Sequence, residues 1–115
     1  MDALLAVAPY CELFFLLCIG HALTDFALIS QWMSEEIENH PYSFALPAHS
    51  LISALPVYVV TGSVVLALAE TITHFVIDWL GLSGRINGWQ NQMLLIGTKL
   101  LWVGMLALEL PFLME

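Results

Sequence analysis

The sequence predicts an all-α integral membrane protein, a four-helix bundle whose second and third spans are short. Composition is the first reason: 60% of the 115 residues are hydrophobic and 10% are charged, against ~45–50% and ~25% in ordinary soluble domains. Hydropathy is the second, with a mean of +0.87. A soluble chain of this length has too much surface to hide so much apolar material inside itself, so the surplus is expected to face lipid. The third is the spacing of breakers, which divides a single polytopic domain, 1–115, into spans at about 3–29, 48–60, 63–80 and 89–114.

The first run, 3–29, contains Pro9, Glu12, His21 and Asp25 but exceeds the ~20 residues a bilayer crossing needs. Met1-Asp2 is acidic where a secretory signal is basic, and the apolar run is too long for a signal core, so a retained helix is expected. Residues 30–47 are polar, with Glu35, Glu36, Glu38, Asn39 and His40 followed by Pro41 and Pro47. They read as a surface loop carrying a short interfacial helix near 31–37, with Trp32 and Tyr42 at headgroup level.

Residues 48–80 are apolar for 33 residues. One helix of that length would measure ~50 Å, well beyond a ~30 Å hydrocarbon core. A break is expected at Thr61-Gly62-Ser63, and the two short spans it leaves imply local thinning or partial crossing. Gly81, Gly84, Asn87 and Gly88 mark a second turn, and the last run follows. Trp32, Trp79 and Trp89 then share one interface, as an aromatic belt does.

Four spans put both termini on one side, A. The acidic loop and the Gly81–Gly88 turn fall on the other, B. Arg85 is the one basic residue near a span end, and on that residue alone the positive-inside rule favours side B as cytoplasmic. The net charge of −8 excludes a nucleic-acid partner, because nothing here replaces counterions along phosphates. Cys11 and Cys18 lie seven apart on the first helix, ~10 Å along its axis, and read as packing residues.

Ionisable groups within an apolar span cost ~2.5–3.5 kcal/mol each and mark sites. His21 and Asp25 fall at the side-B end of the first span. His49 begins the second, His74 and Asp78 end the third, and Asn91 and Gln92 begin the fourth. All seven therefore share one level of the bundle. His and Asp four apart share a helix face, and the two motifs, His21–Phe26 and His74–Trp79, both read His-x-x-x-Asp-aromatic as a faint internal repeat.

Three imidazoles and two carboxylates, from His21, Asp25, His49, His74 and Asp78, form a ligand pool for one divalent ion: zinc, iron or manganese. Two other readings of the same residues stay open, a metal-free polar network that pins the helices together and a proton or ion path. Toward side A lie Glu12, Glu70 and Glu109, as a second acidic cluster. Lys99 in the fourth span either pairs with one of them or snorkels to an interface. No P-loop, dinucleotide fingerprint, zincin motif or Gly-x-Ser-x-Gly elbow is present.

Gly20-His21-Ala22-Leu23-Thr24-Asp25-Phe26, Trp32-Met33, His49 and His74-Phe75-Val76-Ile77-Asp78-Trp79 resemble a small polytopic membrane family of bacteria and phages, number 3307 among the domains of unknown function. The resemblance runs from about residue 15 to 95. It implies a multi-pass protein of the bacterial inner membrane and brings no activity with it. The sequence departs from the family pattern at Ile29, where Gln is usual, and at Glu35–Glu36 and Gly81, where Lys is usual. In the last span Asn91-Gln92-Met93-Leu94-Leu95 replaces an Asp-Gln-x-x-His. If that pair completes a site in the family, the site here is thinned, which favours binding or assembly over catalysis.

Two functions are expected from this reading. One is a membrane-embedded metal-binding protein. Whether it is an enzyme stays open, and the class would be metal-assisted hydrolysis. The alternative is a non-catalytic accessory or assembly subunit of a larger membrane complex, with an intramembrane His contacting a pigment or haem. A small transporter would need a polar route from the side-B cluster to Glu12, Glu70 or Glu109.

Overall fold

Helix boundaries fall where the chain supplies capping chemistry. A computed structural model describes residues 2–27, 30–40 and 44–109, and these hold helices and turns without a β-strand. Helix α1, Asp2–Ala22, runs into a π-helical segment, Leu23–Ala27. Ser30 then caps α2, Gln31–Asn39, its hydroxyl accepting from the Met33 amide at 3.0 Å. This short helix with no buried residue is the element expected near 31–37. Tyr42, expected at headgroup level, lies outside the described residues, as do Ile29 and Pro41.

The expected break between the second and third spans is present. Helix α3, Ala45–Thr61, ends on Gly62 at φ 70, whose N–H donates to the Tyr58 carbonyl. That left-handed conformation suits a residue without Cβ. Ser63 caps α4, Val64–Leu82, by accepting from the Leu66 amide at 3.2 Å. Gly81 does not stop α4, which continues to Leu82. A reciprocal capping box of Asn87 and Gln90 starts α5, Gly88–Ala107.

Helix α5 ends well before residue 114, where the fourth run of apolar residues had placed it. Leu108 and Glu109 form a turn, with Glu109 at φ 53. Residues 110–115 lie outside the described residues.

Helices α1 and α4 each pack against both α3 and α5, while α2 rests on α3. The core is Leu17, Val57, Leu66, Trp102 and Val103, one or two from each of the four long helices. Two stretches, Val7–Phe26 and Val64–Leu82, are long and apolar enough to cross a membrane, while α3 is a shorter apolar helix. Only 22% of each long stretch is buried inside the protein. The apolar side chains point outward instead, among them Phe15, Val59, Leu68, Ile72 and Leu100.

Helix α1 reaches α3 at Gly20. A Cβ placed there would overlap the Pro56 Cβ, a ring atom that cannot swing away. Gly97 on α5 has nothing within 4 Å of the same position. Gly20→Ala should therefore lower the midpoint of thermal unfolding in detergent, by an overpacking cost of about 1–3 kcal/mol. Gly97→Ala should leave it level or slightly higher, since it removes only unfolded-chain freedom.

Candidate metal centre

The end of α1, the start of α3, the end of α4 and the start of α5 meet at one end of the bundle. All five residues of the expected ligand pool lie there, and Asp25 is at the centre. Its Oδ1 accepts from His49 Nε2 and from His74 Nε2, each at 3.1 Å. Its Oδ2 accepts from Gln92 Nε2 at 3.3 Å and lies 3.6 Å from His21 Nε2. The His49 and His74 rings meet edge to face with centroids 5.1 Å apart, and His21 and His74 are 6.3 Å apart.

The π-helical turn aims Asp25. In a regular helix His21 and Asp25 would pair along one face. Over Leu23–Ala27 the chain winds more widely, and Asp25 reaches across to α3 and α4 while remaining 3.6 Å from His21. Single π turns often occur at functional sites, and no residue pattern in 23–27 announces this one. In the second motif the regular helix is kept, and His74 Nδ1 lies 3.1 Å from Asp78 Oδ2.

Hydrogen-bond bookkeeping leaves two ring nitrogens without a partner. A carboxamide oxygen can only accept, so His21 Nε2, 2.8 Å from Gln92 Oε1, is the donor there. In the neutral ring, His21 Nδ1 is then a bare lone pair, buried and with no hydrogen bond. His74 donates from Nε2, so in the neutral ring its Nδ1 is also a bare lone pair. It lies 3.1 Å from Asp78 Oδ2. Two acceptors facing each other in a buried site require a positive centre between them, either a proton or a metal ion. Two triads have donors mutually within 4.8 Å: His21, Asp25 and His74; and His49, His74 and Asp78.

The model of a family described as protein of unknown function (DUF3307) matches residues 13–106. The chain belongs to this family. The match covers both His-x-x-x-Asp motifs and His49, so the cluster is built within the family's segment. No curated protein and no solved structure matches the chain.

Two residues outside the ligand pool complete the centre. Gln92 joins His21 to Asp25 through its two carboxamide ends. Asn91 Nδ2 donates to Asp78 Oδ1 at 3.0 Å, and its Oδ1 accepts from Gln92 at 3.1 Å. The sequence put both at this level, but an amide among apolar residues carries no spacing signal for what it bridges. Beside the cluster opens a cavity of about 460 Å³, with Asp25, His49, Asp78, Asn91 and Gln92 on one wall and Glu38 of α2 on another.

Deeper in the bundle, Lys99 of α5 is buried against Glu70 of α4, Nζ to Oε1 at 2.5 Å. Trp102 Nε1 donates to Glu70 Oε2 at 2.7 Å. Lys99 thus pairs with one of the three expected acids and does not snorkel. Glu12 and Glu109 are exposed, so the three glutamates do not gather into a second acidic cluster. Removing Glu70 alone leaves a buried ammonium, a loss of about 3–5 kcal/mol. Glu70→Gln and Lys99→Met should each depress thermal stability in detergent, and the double variant should be more stable than the sum of the two losses predicts. At the cluster, Asp25→Asn should move the ring ¹⁵N resonances of both His49 and His74, and Asp78→Asn those of His74 alone.

Proposed function

We propose that this chain is a multi-pass membrane protein that binds one divalent metal ion within its helices, through His21, Asp25, His49, His74 and Asp78. One observation carries the reading: three imidazoles and two carboxylates from different helices converge in a buried layer, and two of the buried ring nitrogens have no hydrogen-bond partner. Nitrogen and carboxylate donors without thiolate suit zinc, iron and manganese. Cys11 is exposed and Cys18 half-buried, and neither belongs to the cluster. A bound ion would supply a Lewis-acid centre beside the cavity. Gln92 and Asn91 would hold the ligand side chains in place, as outer hydrogen bonds do around metal sites.

The membrane reading draws support from the outward-facing apolar residues on the two long stretches and on α3 and α5. In a soluble protein such helices would turn these residues to a core. The same exterior supports a second reading, an accessory subunit whose apolar faces meet partner helices in a larger membrane complex.

Elemental analysis of the detergent-purified full chain tests the metal. About one zinc, iron or manganese per chain is expected in the wild type, with at least a tenfold loss in His74→Ala and a clear loss in His21→Ala. A metal-free wild type that stays so after each ion is supplied would make the layer a polar network that only joins helices.

A further inference from the structure

The two triads have His74 in common, and they differ in what the cavity reaches. His49 and Asp78 stand on the cavity wall, and the Asp78 side chain is 17% exposed. In the other triad only Asp25 touches the cavity, and the side chains of His21 and His74 are 5% and 0% exposed. The His74 ring lies between them, with Nε2 toward Asp25 and Nδ1 toward Asp78.

We propose that the cluster is two cation stations in series, an outer one of His49, His74 and Asp78 at the cavity wall and an inner one of His21, Asp25 and His74 behind it. This rests on the metal reading above and adds a direction and an order of loading. A divalent cation arrives through the cavity, is held first by the outer station, and passes to the inner one. The cavity suits a cation on charge: Glu38, Asp78 and Asp25 line it, and no Lys or Arg does. His74 Nδ1, beside Asp78 Oδ2 and without a hydrogen bond, offers the outer station a lone pair when the ring is neutral. Only one station fills at a time. Ligation through both nitrogens of His74 would remove both ring protons, which a ring beside two carboxylates resists because it would add a further negative charge among them.

The transfer needs no bond-making beyond ligand exchange. As the ion leaves Asp78 and His49, Asp25 and His21 replace them; His74 Nε2 gives its proton to the cavity by way of Asp25 and Nδ1 gains one by way of Asp78, the two carboxylates that touch both the ring and the cavity. Asp25 gives up its hydrogen bonds from His49 and His74 in the exchange. His21 would ligate through Nε2, which lies 3.6 Å from Asp25 Oδ2, and Gln92 Oε1 would give up the hydrogen bond from that nitrogen while Gln92 Nε2 stays on Asp25.

Stopped-flow uptake of Co²⁺ by the detergent-purified full chain tests this, with visible absorbance as the readout. The wild type should show a fast phase, then a slower one with a different spectrum, and a final content of one ion per chain. Asp78→Asn should lose the fast phase and take up cobalt at least tenfold more slowly to the same final content. Asp78→Glu should restore the fast phase. His21→Ala should keep the fast phase, lose the slow one, and release cobalt at least tenfold faster. A single phase in the wild type overturns the two stations while leaving the metal reading intact, and it does so whether or not the variants fold. Two ions per chain at saturation overturns the series order. No cobalt bound by the wild type overturns both readings.

Discussion

The carboxylate of Asp25 is the interaction on which the rest of the structure depends. Hydrogen bonds from α3, α4 and α5 all end on its two oxygens. A carboxylate surrounded by apolar helices is costly unless its lone pairs are filled, and here each donor comes from a different helix. The bundle closes at this end because the charge can be satisfied only when the four long helices stand in one register. The close approach at Gly20, one residue before His21, brings α1 near enough to α3 for this to occur.

Helix α4 shows how the polar groups are distributed with depth. At four-residue intervals it presents Leu66, Glu70, His74 and Asp78 to the interior, changing from core to ion pair to imidazole to carboxylate. Each is answered at its own level by another helix: Leu66 by the core residues, Glu70 by Lys99 and Trp102, His74 by Asp25, and Asp78 by Asn91. A helix sliding by one turn would place an acid against a leucine. Polar contacts between apolar helices contribute ~0.6–2 kcal/mol each, and their larger effect is on which register is allowed.

The depth of these groups was legible in the sequence because span order alone decides it. Once Thr61-Gly62-Ser63 is read as a turn, His21, His49, His74 and Asp78 must share an end. Pairing was less legible. Both His-x-x-x-Asp motifs look alike as strings, yet the first is opened by a π turn and the second is regular, and the difference depends on contacts with other helices. The bridging by Gln92 was hidden for the same reason. Lys99 had three acids to choose from, and only the rotation of α5 selects Glu70.

The link between α3 and α4, two residues long, has a consequence for how the molecule is made. His49 and His74 belong to one helical hairpin, and their rings meet within it. Contacts closed over so short a stretch of chain form readily, whereas Asp25 and Gln92 come from segments on either side of the hairpin. The hairpin is thus a unit able to form by itself with its imidazoles facing but lacking their acceptor. Helix α1 is already made when the hairpin is complete and α5 is not, so Asp25 is at hand for the two imidazoles and Gln92 closes the shell last, when α5 arrives.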